Sequence, residues 1–502
     1  MAIPSLSLSS GLLNSISRGR QTLFDLQRQL ATGKLSETYG GLAPTSRITV
    51  MSLRAQMSES AAFQINIRDV NLRLDVVQQT VARFGEIASD TKAGAFQSPF
   101  DLVDGQQTAF QRNTRAQFDE MVSLLNSEIN GRHLFAGRNS DVQPVLPAVT
   151  LLEGDGTRAG LKQLISERTQ ADVGAGGLGR LAISALTATS VRLAETIAGL
   201  PFGFKIAGVT NNLTGTTLTG PAGSPVQFDV DFTATPPVSG ETIRILLDLP
   251  DGSQEALEFK AATATPPKAG EFAIGATPDV TAANFQTLLQ SELSKRATGA
   301  LSAASAVIAS GDFFSGNKTT PPVRVDGPPF DTATATIAGT TANTIVWYQG
   351  DDSATPAREG ALARIDDQLV VAYGTRADEQ AVRHTLTYLG AISALTFNVS
   401  DPTAEDRYQA LSQRAASGLA FPPSVQSFAD ITTELATVQR TLEAADERHN
   451  ISKVLGERLI SEREDADMEE VGASILTLQT RLQASFETTS IITQLSLVNF
   501  IR

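Results

Sequence analysis

The chain has 502 residues, no cysteine and a formal net charge of -14. Its length allows two or more domains with cores of their own. The lack of cysteine excludes disulfides, thiolate metal sites and cysteine nucleophiles, and the acidic balance argues against a nucleic-acid partner, whose phosphates are held by surplus Lys and Arg. No run reaches the roughly 18 consecutive apolar residues of a membrane span, so no membrane partner is expected.

The first residues, MAIPSLSLSSGLLNSIS, lack the pattern of a Sec signal peptide, since no Lys or Arg precedes Arg18 and serines interrupt the apolar residues. Leu12, Ile16, Gly19, Leu23, Leu26 and Leu30 alternate steps of four and three. That rhythm predicts a helix with a heptad stripe, ended by Gly33. A loop follows at Tyr39–Pro44, and Thr45 or Ser46 is expected to cap the next helix. Phe63, Ile67, Val70, Leu74, Val77, Val81, Phe84 and Ala88 keep the same rhythm. They predict a helix of about 26 residues, ~39 Å long at ~1.5 Å per residue, broken at Ser98-Pro99. Phe110, Phe118, Met121 and Leu125 predict a third helix that stops near Gly131.

From about 140 to 425 the pattern changes. A helix is expected over 158–198. SPVQFDVDF (224–232) alternates at period two, and ETIRILLDLPDGSQEALEFKA (241–261) predicts two strands around a turn at Pro250–Ser253. One helix is expected over 281–297, a linker or edge segment over 319–332, and helical spacing again over 361–397. Heptad rhythm returns in Phe428, Ile431, Leu435, Val438, Leu442, Ala445, His449, Ser452, Gly456 and Leu459, then in Met468, Val471, Ile475, Leu478, Leu482, Ser485, Thr489 and Ile492.

These patterns predict an α+β multidomain fold, with a discontinuous helical, coiled-coil-like domain built from both termini and an inserted β-rich middle domain. Residues 1–45 are read as an N-terminal assembly segment, disordered in the free monomer. Residues 46–140 form the N-terminal helical half and 141–425 the insert, with a β-rich outer domain at about 200–345. Residues 426–469 form the C-terminal helical half and 470–502 a C-terminal assembly helix. A heptad stripe is stable only when something covers it. The outermost segments, 5–32 and 470–501, are expected to lack full cover within the chain and to order against neighbouring subunits. The competing expectation is that they close an intramolecular bundle.

Catalytic patterns are sparse. His133, His384 and His449 are far apart, and His449 falls on a heptad position that suits a packed histidine. GAGGLG (174–179) matches a dinucleotide loop in letters only, because a polar, helix-like segment precedes it instead of a strand. SEREDADMEE (461–470) lacks calcium-loop spacing and is expected to be a solvated acidic face, paired locally by Arg463. Asp351-Asp352 has no histidine or third acid at useful spacing. Neither an enzyme nor a metal or cofactor site is expected. Trp347 beside Tyr348, and the hairpin near Pro250, leave open a surface binding module on a helical stalk, although aromatic residues are few.

Several segments resemble bacterial flagellins and their relatives. LQRQLATGKLSETYGG (26–41) is similar to the helix end at a Ser/Thr-Gly-Lys/Arg turn in that superfamily. NLRLDVVQQTVARFGEIASDTKAGA (71–95) resembles its long N-terminal helix, and residues 462–502 resemble its C-terminal helix. NGRHLFAGRNSDVQPV (130–145) and the ending SLVNFIR look most like the hook–filament junction branch, the hook-associated proteins. The middle region is longer than that branch often carries. The resemblance implies an extracellular structural subunit of the flagellum, exported through the type III channel without a cleaved signal peptide. It implies a ring of copies between another hook-associated protein and flagellin, and a cytoplasmic export chaperone on the C-terminal helix. Flagellin itself, the bulk filament subunit, is the alternative. The assembly contacts are then expected at heptad positions: Leu23, Leu26 and Leu30 at one end, and Leu478, Leu482, Ile492, Leu495 and Phe500 at the other.

Overall fold

The computed structural model describes residues 4–103 and 105–500, with side chains described for residues 11, 13–103 and 105–492. In chain order the helices α1 (Pro4–Thr32), α2 (Pro44–Gln97) and α3 (Ala109–Leu125) come first. A short hairpin of β1 (Glu128–Ile129) and β2 (Arg132–His133) follows, then α4 (Ala148–Glu153) and α5 (Leu161–Val173). Eight strands come next: β3 (Leu181–Ser184), β4 (Ser190–Glu195), β5 (Lys205–Asn211), β6 (Thr216–Ala222), β7 (Gln227–Phe232), β8 (Thr242–Asp248), β9 (Gln254–Ala262) and β10 (Glu271–Ala273). The later helices are α6 (Pro278–Arg296), α7 (Ser302–Ser315), α8 (Gln380–Ala394), α9 (Ala404–Gly418), α10 (Phe428–Glu464) and α11 (Met468–Phe500). The fold is therefore mixed α and β, with helices at both ends and the sheets in the middle. Among the described residues no helix is long and apolar enough to cross a membrane.

Two compact units result. The first comprises Met1–Asp69, Arg364–Val370 and Arg440–Arg502; the second comprises Val70–Ala363 and Val371–Gln439. The discontinuous helical unit is thus narrower than predicted, because residues 70–140 and 426–439 belong with the second unit.

In the first unit, α2 is longer than its apolar stripe suggested. The stretch before Phe63 is helical too, as the resumption after Thr45 and Ser46 predicted, but it starts one residue earlier, at Pro44, whose fixed φ suits a first helical position. Thr45 and Ser46 therefore lie inside the first turn and do not cap it; the Thr45 carbonyl accepts the Thr49 hydroxyl at 3.0 Å. Residues of α2 and α10 meet in antiparallel order. Arg54 Nη2 donates to both Glu464 carboxylate oxygens at 2.8 Å, Met57 lies beside Gly456, and Phe63 stacks on His449 with ring centroids 5.4 Å apart. The α10 stripe holds at the predicted Gly456, which is buried, and shifts beyond it: Ile460 is buried, whereas the predicted Ser452 and Leu459 are exposed.

In the second unit, the predicted α2 positions Val70, Leu74, Val77, Val81, Phe84 and Ala88 are all buried. Phe84 packs on Phe135 and Phe428, with centroids 5.8 and 5.9 Å apart. The strands form two four-stranded sheets, ordered β3-β4-β7-β6 and β10-β9-β8-β5. All their pairs are antiparallel except β9 with β10. The predicted hairpin is β8–β9, closed with Asp248 opposite Gln254. Alternation places Phe228, Val230 and Phe232 of β7 with Ile243, Ile245 and Leu247 of β8 in one core, which α6 completes through Phe285, Leu289 and Leu293. The β region begins earlier than the expected 200–345, and helices interrupt it. Residues 181–195 are strands, not helix, and 302–315 is a helix in contact with α5 and α8. Over 361–397 only α8 is helical. The segment at 319–332 supplies one short strand, β11 (Arg324–Val325), paired with β12 (Thr336–Ile337).

Candidate assembly interface

The terminal helices α1 and α11 pack on each other within the first unit. Gly33, at φ 70°, ends α1 in the left-handed conformation that glycine adopts without strain. The chain then runs against the α10–α11 junction. Leu35 N donates to the Glu464 carbonyl at 2.7 Å, and Ala466 N donates to the Gly33 carbonyl at 2.9 Å. The Glu464 side chain is buried, held by Arg54 and by Lys34 Nζ at 3.7 Å. Asp467 starts α11 by accepting from Glu469 N at 3.0 Å and Glu470 N at 3.2 Å. The acidic run 461–470 is therefore a helix junction. Its Glu464 pairs with Arg54 and Lys34.

Beyond this base the two predicted stripes face each other. Leu23 and Leu26 pack on a cluster of Ala466, Val471 and Ile475. Gly19 lies against Leu482 and Leu478. The outermost segments, expected to lack full cover within the chain, cover each other in part. Segment 1–45 contains α1, and the stripes of α1 and α11 have matching rhythm. Among the candidate residues, Leu482 is buried, and Leu23, Leu26 and Leu478 are half-buried in this contact. Leu30 and Ile492 are each 43% exposed. The side chains of Leu495 and Phe500 lie outside the described residues.

The pairing leaves further large apolar side chains of this unit uncovered. Among the described residues, more than half of the exposed large apolar side chains belong to the first unit, which holds less than a third of the chain. Phe24 is 66% and Leu476 67% exposed. Leu13, Phe486 and Ile491 are exposed on the same two helices, as are Ile48 and Met51 on α2. Ile451, Val454 and Leu455 form an i, i+3, i+4 face on α10. Most of these lie off the heptad stripe, which is why a search at heptad spacing misses them. The visible signal was surplus: these helices carry more apolar residues than one stripe needs.

Charges at the edge of this unit are modest. The Glu59 carboxyl is held above its usual range by its hydrogen bond to the neighbouring Asp367 carboxyl. Arg448 Nη2 lies 3.3 Å from Asp366.

The structure does not bring the candidate catalytic residues together. Each histidine ring binds a main-chain carbonyl: His133 with Asn126 at 3.0 Å, His384 with Gly418 at 2.8 Å, and His449 with Ile365 at 2.8 Å. GAGGLG joins a helix to a strand, the reverse of a dinucleotide loop. Asp351 accepts from Ser353 N at 3.1 Å, within its own loop. Trp347 and Tyr348 are buried, and Trp347 Nε1 donates to the Phe314 carbonyl at 2.9 Å. Among the described residues no group of three or more His, Asp and Glu side chains could hold a metal ion. No family model matches the chain, and no curated protein matches its sequence.

Proposed function

We propose that this chain is a structural subunit of the bacterial flagellum, acting as an adaptor at the hook–filament junction. It assembles by packing its terminal helices, in coiled-coil-like contacts, against those of neighbouring copies. The observation that carries this reading is the apolar surface left on α1, α2, α10 and α11 after α1 and α11 have paired. A patch of that kind is costly in water and marks a surface that is covered in use. The resemblance of residues 26–41, 71–95, 130–145 and 462–502 to junction proteins supplies the setting: a second copy on the patch, another hook-associated protein on one side, flagellin on the other, and an export chaperone on α11 before assembly. In this reading the chain is extracellular, and type III export needs no cleaved signal. Burial of Trp347 and Tyr348 weighs against a surface binding module built on those rings.

Immunogold microscopy of intact flagella, with antibody to the β region at 181–273, tests the reading. A narrow band of label where hook meets filament is expected. Label along the whole filament would make the chain a flagellin. No label, from antibody that recognises the native protein, would overturn both flagellar readings.

A further inference from the structure

The second unit holds a cleft of about 250 Å³ that the assembly reading does not use. α2 lends it Arg73, the β1–β2 hairpin Arg132 and His133, and the turn beyond it Arg138, with Tyr373 opposite. No carboxylate lines it among the described residues. Arg73 donates to Tyr373 Oη at 3.3 Å, a long bond, and has no carboxylate partner among the described residues. Arg132 Nε donates to Ser140 Oγ at 2.9 Å, which fixes the guanidinium but leaves its charge unpaired. Arg138 Nε stands 4.0 Å from Asp351, at the limit of an ion pair. His133 Nδ1 is taken by the Asn126 carbonyl, while its Nε2 lies 3.8 Å from Glu128.

Three guanidinium groups around one concavity repel each other. Here they do so in a chain whose 54 acidic residues outnumber its 40 Lys and Arg, so carboxylate partners were abundant. A cationic concavity concentrates anions, and the planar guanidinium matches a carboxylate with paired donors. The volume falls just below the ~300–1,000 Å³ of ordinary small-molecule sites, which suits a small anion or the tip of an acidic side chain. We propose that this cleft binds a carboxylate, with Arg73 and Arg138 as its principal contacts. The group comes either from a free small acid or from an Asp or Glu of a second copy of this chain. The proposal stands independently of the flagellar reading.

The test is calorimetric titration of the native full chain with malonate at constant ionic strength. Saturable binding is expected, weakened at least tenfold by Arg73→Gln and by Arg138→Gln, and unchanged by Lys92→Gln outside the cleft. The Arg138 side chain is 54% exposed, so Arg138→Gln keeps the fold and decides the matter even if Arg73→Gln does not. Sedimentation velocity separates the sources. Malonate that disperses associated species identifies a second copy as the donor; unchanged sedimentation alongside binding identifies a free acid. No saturable binding, or equal binding by wild type and Arg138→Gln, overturns the site.

Discussion

Gly19 of α1 faces Leu482 of α11 so closely that a Cβ at position 19 would lie 2.9 Å from Leu482 Cδ2. The atom it meets is the end of a flexible side chain, which can turn aside. Gly19→Ala is therefore expected to be neutral or stabilising by up to ~1 kcal/mol, the helix-propensity gain of replacing glycine. Gly19→Leu puts a full side chain in the same place and should part the helices. Hydrogen exchange across 468–490 checks the pair: faster exchange in Gly19→Leu but not in Gly19→Ala is expected, and equal protection in both would show that the two helices do not touch there.

His449 holds α10 to the segment at 364–370. Its ring stacks on Phe63, and Nε2 must carry the proton that the Ile365 carbonyl accepts at 2.8 Å. His449→Ala removes the stacking and leaves that carbonyl unpaired, so a loss of about 2–4 kcal/mol is expected. His449→Gln, which restores a donor, should recover part of it. Urea unfolding of the three proteins gives the comparison. Wild-type stability in His449→Ala would mean that the histidine serves something other than packing.

Trp347 is the lone tryptophan and is wholly buried, bonded to the Phe314 carbonyl and packed edge-on to Phe314, with centroids 5.5 Å apart. Its emission should be blue-shifted in the native protein and resist acrylamide quenching. Native emission resembling that of free tryptophan would reopen the binding-module reading, since an exposed ring could meet a ligand.

Asp312 on α7 is held above the usual carboxylate range by burial, which Arg168 only partly offsets. Its folded value lies above the unfolded one. The folded state thus binds the proton more tightly, and this group's contribution to stability falls as pH rises from about 3.9, the unfolded value, through the folded value. Asp312→Asn should then raise Tm at pH 7 and bring little gain below pH ~3.9, where the carboxyl is protonated in both states. A larger gain in acid than at pH 7 would contradict the assignment.

The long amphipathic elements were legible because burial repeats along them. Every stripe position from Phe63 to Ala88 is buried, and the β8–β9 hairpin falls where Pro250–Ser253 marked it. The register slip after Gly456 was hidden, because Leu459 and Ile460 are equally apolar and only packing decides which turns inward. The strands at 181–195 were hidden too. They are short: β3 and β4 pair as a local hairpin, but the other partner of β4, β7, lies more than thirty residues away, and no Gly- or Pro-marked turn announces the hairpin. The heptad positions pointed to the α1–α11 contact, but the chain itself covers much of that contact. Most of the uncovered residues, Phe24 and Leu476 among them, sit between heptad positions.

This shifts where the assembly claim is best tested. Leu482→Asp would disturb the folded chain, whereas Phe24 and Leu476 are mostly exposed, so Phe24→Asp and Leu476→Asp should change monomer stability by no more than about 0.5 kcal/mol. The decisive measurement is the amount of the Phe24→Asp, Leu476→Asp double variant in sheared hook–filament preparations, compared with the amount released into the medium. A folded, exported variant found in the medium and missing from the flagella is the predicted result. Incorporation at the wild-type level would contradict the claim that this surface assembles the subunit.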